Sequence, residues 1–339
     1  MSKKKIANIN DIAKLAGVSR STVSRVLTNN KNVKRDTALK VKKAMKEANY
    51  RPNILARGLA TGKLNIVAML ISETENPFYL QMLDLMDTEL RERGYILSMC
   101  FLGRTEESRS ENLRAIQEYG FSGFVMADIK NEPAFIEEVK AVKRPLVFCN
   151  RYIESLSDFD AVIVDNYLGG YMAGKHLTEL GHREVGILTG PLKSSASRDR
   201  YRGFRDALIE SGLDVPRELV GEGDLTLAGG AAFAAEFFPK YGRDCTALFA
   251  GNDDMAIGIL NYCRDNGIRV PGDLSLIGFD DVAFAGTPLV NLTTIQQPYL
   301  QMSSLTAERI VARINGDDLN RQCIMLEPKL VIRNTTGPV

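Results

Sequence analysis

A small all-α head followed by a larger α/β body of two lobes is the fold class that this 339-residue sequence predicts. Three observations carry it. Charge is divided along the chain: residues 1–63 hold eleven lysines and five arginines against only Asp11, Asp36 and Glu47, a net +13, while the remainder carries −12. Within the basic stretch, apolar residues recur at helical spacing around a glycine turn. Beyond Leu64, short continuous apolar runs alternate with helical stretches, the pattern of parallel sheets covered on both faces. A basic head on an acidic body suggests a nucleic-acid-binding unit joined to a soluble carrier.

The first segment, "NINDIAKLAG", offers Asn10 as an N-cap and puts Ile9, Ile12, Leu15 and Ala16 at helical spacing. Gly17 tolerates the positive φ of a tight turn. Ser19 can cap a second helix, "RSTVSRVLT", with Val23, Val26 and Leu27 as its apolar positions. A third, "RDTALKVKKAMKEANY", directs Leu39, Val41, Ala44, Met45 and Ala48 towards the shared core. Two short helices joined by a short turn containing glycine form a helix-turn-helix. In such a unit the second helix enters the major groove with its N-terminal residues at base edges. Arg20, Ser21 and Arg25 hold the outward positions here, and an arginine bridging guanine O6 and N7 is worth ~1–3 kcal/mol of discrimination. Thr22, Ser24, Thr28 and Asn32 suit phosphate contacts. "RPNILARGLATGK" then closes the basic region at Lys63. Asn53 can cap a helix there, but Gly58 interrupts it and Thr61-Gly62 ends it short of the ~12–15 residues that an isolated helix needs in water.

The body reads as two series of strands. "IVAMLI" (66–71), "YILSMCF" (95–101), "GFVMA" (123–127), "PLVFCN" (145–150) and "AVIVD" (161–165) form the first. "EVGILTG" (184–190), "ALFAGN" (247–252) and "LSLIGFDD" (274–281) belong to the second. "FYLQMLDLMDTELRERGY" and "RYRGFRDALIESGL" each follow a first strand and end near a glycine, an internal echo that supports two similar lobes. Ligands of open α/β sheets sit beyond the carboxyl ends of the strands. That rule selects Phe78 and Tyr79, Asn150 and Arg151, Ser194, Arg198 and Arg200, Leu225, Asn252 and Asp253, and Asp280. Carboxylates, amides and forked arginines beside aromatic or apolar faces suit a hydroxyl-rich ligand. The Arg198/Arg200 spacing suggests one that accepts more hydrogen bonds, such as an acidic or phosphorylated sugar.

Other functions lack their signatures. No apolar run approaches the ~18 residues of a membrane helix, and "MSKKKIANINDIAK" has no apolar segment behind its lysines to act as a secretory signal. Five cysteines (Cys100, Cys149, Cys245, Cys263, Cys323) without any C-x-x-C predict reduced thiols in a cytosol, mostly as buried small hydrophobes. No phosphate-binding G-x-x-x-x-G-K-[ST] occurs and no G-x-G-x-x-G follows the first strand, against a nucleotide-dependent enzyme. His176 and His182 are the two histidines, and "ELGHREVG" reads as the lead into a strand rather than as a catalytic dyad. No enzymatic activity, cofactor or metal is expected.

The string "INDIAKLAGVSRSTVSRVLTNN", with "NYRPN" and the following "ARGL", resembles the DNA-binding head of the LacI/GalR family of bacterial helix-turn-helix transcription regulators. The similarity runs on through the body, which resembles that family's two-lobed, periplasmic-binding-protein-like effector domain with Rossmann-like parallel sheets. The resemblance implies a head over 1–52, a hinge helix over 53–63 and an effector and dimerisation domain over 64–339. Crossings between lobes are expected near Asp165, Gln297 and Cys323, giving one lobe of 64–165 with 297–323 and another of 166–296 with 324–339. The hinge would order when two subunits bind DNA, wedging Leu59 into the central minor groove with Asn53, Ala56 and Arg57 beside it. Gly58 departs from the better helix formers frequent there, and Lys34 stands where a small hydroxyl cap is common.

In the cleft, the resemblance makes Arg200 the arginine that touches the effector, Asp280 the acid opposite and Asn252 a sugar contact. Asn150 falls where Asp or Asn lines the cleft. Ala196 replaces a hydroxyl, and Leu225 replaces an aromatic stacker. The implied function is a cytoplasmic transcriptional repressor of carbohydrate-metabolism genes. It would bind a palindromic operator as a homodimer and be released by a sugar-type effector. No leucine heptad follows "LEPKLVIRNTTGPV", which favours a dimer over a tetramer. A periplasmic-type sugar-binding protein without a DNA role shares the two lobes, but the +13 head and the missing signal peptide argue against it.

Overall fold

A computed structural model describes residues 8–27, 33–50, 64–72, 76–129, 131–156, 158–242, 244–317 and 320–339. Thr28, Asn32, Asn53, Ala56, Arg57, Gly58 and Leu59 lie outside them. The chain divides into two compact units, residues 1–66 with 120–122 and the remainder.

Three helices build the head: α1 (Ile9–Ala16), α2 (Arg20–Leu27) and α3 (Arg35–Glu47). Asn8, not Asn10, caps α1. Its side chain accepts from the Asn10 and Asp11 amides while Asp11 accepts from the Asn8 amide, a reciprocal box two residues before the expected cap. Gly17 takes φ 63° at the turn, and the Ser19 hydroxyl accepts from the Thr22 amide 3.1 Å away. Ile12, Ala13, Val23, Val26, Val41 and Ala44 form the core. Leu15 and Leu39, expected inside, are 60% and 58% exposed. With so short a helix the buried stripe is narrow, and Ala13 takes the inward place that Leu15 was given. Lys34 precedes α3 without a side-chain cap.

The body contains two six-stranded sheets of equivalent order. In the first, β1 (Ile66–Ile71), β2 (Ile96–Phe101), β3 (Gly123–Met126), β4 (Leu146–Cys149) and β5 (Asp160–Val164) pair in the order 5-4-3-1-2. In the second, β6 (Val185–Thr189), β7 (Val220–Glu222), β8 (Ala247–Ala250), β9 (Ser275–Asp280) and β10 (Thr293–Gln296) repeat that arrangement as 10-9-8-6-7. The intervening helices are α4 (Pro77–Glu92), α5 (Glu106–Glu118), α6 (Pro133–Lys140), α7 (Asn166–Glu179), α8 (Ser195–Glu210), α9 (Leu227–Tyr241), α10 (Asp253–Asp265) and α11 (Tyr299–Asn315). The echo between α4 and α8 is therefore topological, since each follows the first strand of its sheet.

Both faces of each sheet are covered, which explains the continuous apolar runs. Along β8, Ala247 and Phe249 face Phe204 and Leu208 of α8, while Leu248 and Ala250 face Phe237 of α9 and Met255 of α10. Tyr299, Met302, Ala307 and Ile310 of α11 pack with Met82, Met86 and Leu90 of α4, so the chain is back in the first lobe after β10.

The third crossing differs from the expectation. Cys323–Leu326 is strand β11, parallel to β5, and the chain leaves the first lobe only at Glu327-Pro328 before β12 (Lys329–Val331) pairs antiparallel with β10. As an edge strand, β11 buries little and so lacks an apolar signature. Pro328, which has no amide hydrogen, separates it from the next sheet.

Cys149, Cys245 and Cys263 are buried, Cys100 is half-buried and Cys323 exposed, and all five are free thiols. Burial pushes Cys245 and Cys263 up to about 12, out of reach of thiolate chemistry at neutral pH. His182 bridges Thr246 Oγ1 and the Gly337 carbonyl, and His176 meets Thr336 Oγ1, so both histidines anchor the C-terminal segment. No helix among the described residues is long and apolar enough to cross a membrane.

Candidate functional site

On α2, Val23 and Val26 point into the head while Arg20, Ser21 and Arg25 are exposed and Thr22 and Ser24 half-buried. Positions 20, 21, 24 and 25 lie one helical turn apart in two neighbouring rows, so they share one face. The Ser19 hydroxyl lies 2.8 Å from those of Ser21 and Thr22, fixing the first turn. No acidic residue stands in that turn to oppose an incoming phosphate. Arg25→Ala is expected to weaken binding to duplexes that the protein itself selects from a random pool by about 10-fold, leaving random duplex nearly unaffected. Equal loss on both duplexes in gel shifts would make Arg25 a phosphate contact instead.

The second constellation forms where the carboxyl ends of the two sheets face each other. Asn76, Phe78, Tyr79, Asn150 and Arg151 come from one side, and Ala196, Ser197, Arg200, Leu225, Asn252, Asp280 and Gln297 complete the wall. They leave a cavity of only about 20 Å³, space for one water. Arg200 is its centre. Nε donates to Asn166 Oδ1 at 2.8 Å, Nη1 to the Gly251 carbonyl at 2.6 Å, and Nη2 lies 3.5 Å from Asp280 Oδ1. Its guanidinium covers the Phe279 ring at 3.5 Å. Burial lowers Arg200 to about 10 although Asp280 opposes the shift. Burial likewise lifts the Asp280 carboxyl above its usual range, against the pull of Arg200, Gln297 and Arg151. For both partners, loss of water outweighs their attraction.

Strand ends supply unusual backbone as well. Asn150, Leu225 and Asp280 adopt φ values of 76°, 67° and 116°. Non-glycine residues held in this region collect at ligand sites, where surrounding structure overrides the local cost. Hydrogen-bonding capacity points the same way. Asp128 Oδ2, Asn150 Oδ1, Gln297 Oε1 and the Tyr299 hydroxyl are buried without a partner among the described residues, although buried polar groups are almost always satisfied.

The sequence-selected residues divide on this geometry. Phe78 and Tyr79 both line the cavity, edge to face at 5.3 Å, and both are core residues of the first lobe. Arg151 lines it while paired with buried Asp128. Asn252 caps α10 through Oδ1 and donates to the Leu225 carbonyl, so its role is partly to shape the wall. Asp253, expected at the cleft, does not reach it. It is wholly buried behind the wall, accepting from Thr294 Oγ1 at 2.5 Å and the Val282 amide at 2.9 Å. Ser194 is half-buried and outside this lining, and Arg198 points away. Two residues along a helix differ by about 200°, so Arg198 and Arg200 cannot share one cavity.

Asp128, Asn166, Gln297 and Tyr299 were not selected. Asp128 follows β3 just as Asn150 follows β4, and the strand-end rule reaches it. Gln297 follows β10, whose "TTIQ" is too short and polar to read as a strand. The same rule reaches Asn166, two residues after β5, whereas nothing in the sequence marks Tyr299. The constellation has hydrogen-bond donors and acceptors around an apolar flank but no nucleophile held by a base, which is the chemistry of reversible binding.

Comparison with known proteins gives the same division. A family model described as bacterial regulatory proteins, lacI family, matches residues 8–53, and one described as periplasmic binding protein-like domain matches 175–336. The chain is 32% identical over 334 residues to the HTH-type transcriptional repressor PurR of Vibrio campbellii, covering 97% of this chain and 98% of that one. It is 31% identical over 330 residues to the ribose operon repressor of Escherichia coli, covering 97% and 100%. In structure it is similar to the lac repressor dimer bound to operator and the anti-inducer ONPF, with TM-score 0.84, 25% identity, and 98% and 100% of the two chains covered. The chain belongs to the LacI family of bacterial regulatory proteins. It is a DNA-binding transcriptional repressor governed by a small molecule, not an enzyme.

Proposed function

We propose that this protein represses carbohydrate-metabolism genes from the cytoplasm. It binds a palindromic operator as a homodimer and lets go when a sugar or sugar derivative occupies the cleft. The observation that carries the effector class is the pair of buried oxygens in the cavity wall, Asn150 Oδ1 and Gln297 Oε1, with no donor to meet them among the described residues. A polyhydroxyl ligand supplies those donors, while the apolar faces of Phe78 and Leu225 cover its ring. The E. coli relative's name, ribose operon repressor, supports the same class. In this reading residues 1–52 read the half-site, 53–63 add contacts to the operator, and 64–339 bind effector and partner. Two-fold symmetry of the dimer accounts for a palindromic site.

Ligand stabilises whichever arrangement of the lobes it fits, and operator affinity follows by linkage. The test is thermal-shift screening of the full chain against pentoses, hexoses, their acids and their phosphates. A ligand at ~100 times its Kd contributes about 2.7 kcal/mol. The same compound should release the protein from its selected duplex in gel shifts. Stabilisation by purines or amino acids alone would overturn the carbohydrate reading.

A further inference from the structure

A second cavity, of about 420 Å³, lies on the other side of the N-terminal turn of α8. The same loops build both. Asn150 and Arg151 line the inner cavity, and Tyr152, Ile153 and Ser155 the outer one. Ala196, Ser197 and Arg200 face inward, whereas Ser195, Arg198, Asp199 and Arg202 face the outer space with Lys193. Three cations therefore meet one carboxylate, giving this recess a net charge of +2.

Its polar groups are arranged rather than scattered. Arg198 Nη1 donates to the Leu192 and Lys193 carbonyls, which holds its guanidinium at the turn. Arg202 and Asp199 form a loose ion pair at 3.4 Å on the same helix, so the acid is already engaged. Lys193 has no ion-pair partner among the described residues. Ser194, at the N-cap of this sixteen-residue helix and outside the lining of both cavities, makes no capping hydrogen bond and so leaves the first-turn amides uncapped. The positive end of the helix dipole faces the same turn. From the facing lobe, Asn131 and Ser155 add neutral polar groups.

We infer that this outer cavity is an anion subsite, and that the effector is a sugar carrying a phosphate or carboxylate group there. The hydroxyl-bearing ring takes the inner walls, which part beyond their present one-water space to admit it, and the oxyanion reaches past the α8 turn to Lys193, Arg198 and Arg202. This rests on the carbohydrate reading above and narrows it. It also separates the two arginines whose spacing suggested an acidic or phosphorylated sugar, with Arg200 at the ring and Arg198 at the charged group.

The test compares matched trios on the full chain: a neutral sugar, its phosphate monoester and its sugar acid, with inorganic phosphate alone as a fourth probe. Calorimetric affinities are measured for the parent and for Lys193→Gln/Arg202→Gln, two exposed side chains whose replacement leaves the core untouched. The phosphate or the acid of one trio should bind at least about 10-fold more tightly than its neutral parent, a step of ~1.4 kcal/mol. The double variant should erase that gain and leave the neutral sugar's affinity within about 2-fold. Whether ester or acid gains more identifies the group. Neutral sugars binding as well as both anions would overturn the subsite and leave the carbohydrate reading intact. No binding by any sugar would overturn both, unless inorganic phosphate stabilises the parent and not the variant, which supports the anion cavity by itself.

Discussion

Replacing Arg200 by methionine together with Asp280 by asparagine is expected to abolish the effector response while costing little stability. The two charges are buried and 3.5 Å apart at their nearest approach. Burial pushes Arg200 down and Asp280 up, so the fold disfavours the charged form of each. Replacing a buried ion pair by apolar or neutral groups is frequently neutral or stabilising, whereas removing one member costs ~3–5 kcal/mol. Arg200→Met alone should therefore lower the melting temperature by roughly 6–20 °C, at ~2–4 °C per kcal/mol for a body of this size. The double variant should recover most of that loss, because coupled neighbours are not additive. Some deficit will remain, since the Asn166 side chain and the Gly251 carbonyl lose their donors. Duplex binding should persist and no longer respond to effector. A double variant less stable than the single one would show that the pair stabilises the fold. A retained response would remove both residues from the site.

Gly170→Ala should act on the same site without touching it. Helices α7 and α8 pack backbone to backbone at Gly170 and Gly203. A Cβ on Gly170 would overlap the Arg200 carbonyl, and one on Gly203 would overlap the Tyr167 carbonyl. Gly174 continues the seam, with an added Cβ only 2.8 Å from the Phe204 carbonyl. Tyr167 and Tyr171 on α7 donate to Asp206 and Glu210 on α8, holding the pair in register. An added methyl must therefore move α8, and Arg200 moves with it. Overpacking of this kind costs ~1–3 kcal/mol. A displacement near 1 Å is expected to weaken effector binding about 10- to 100-fold, by analogy with misplaced reacting groups. Gly272→Ala is the control, because its added Cβ meets nothing closer than 3.4 Å. Effector affinities measured by calorimetry should separate the two variants. Equal affinities would mean that the seam adjusts without shifting the arginine.

Much of this architecture was legible beforehand, for identifiable reasons. β1, β3, β6 and β9 are buried on both faces, so each appears as an unbroken apolar run within a residue or two of its true ends. The helix-turn-helix spacing likewise follows from Gly17 and the Val23/Val26 stripe. What stayed hidden lies at edges and crossings. β7 is three residues long and β11 pairs on one side only, so neither leaves a pattern to read. The cap of α1 was misplaced because both Asn8 and Asn10 suit the position, and only the reciprocal bond with Asp11 distinguishes them.

By itself the sequence determined the class of the protein, the order of its units and most candidates at the strand ends. Those properties depend on local periodicity, charge and strand-terminal chemistry, all of which are written along the chain. Which of those candidates share a cavity was decided by the tertiary structure alone. Helical phase sends Arg200 inward and Arg198 outward, and packing seals Asp253 behind the wall. Gln297 enters from an element distant in sequence, because a cleft between two interleaved lobes is assembled by crossings that no local pattern records.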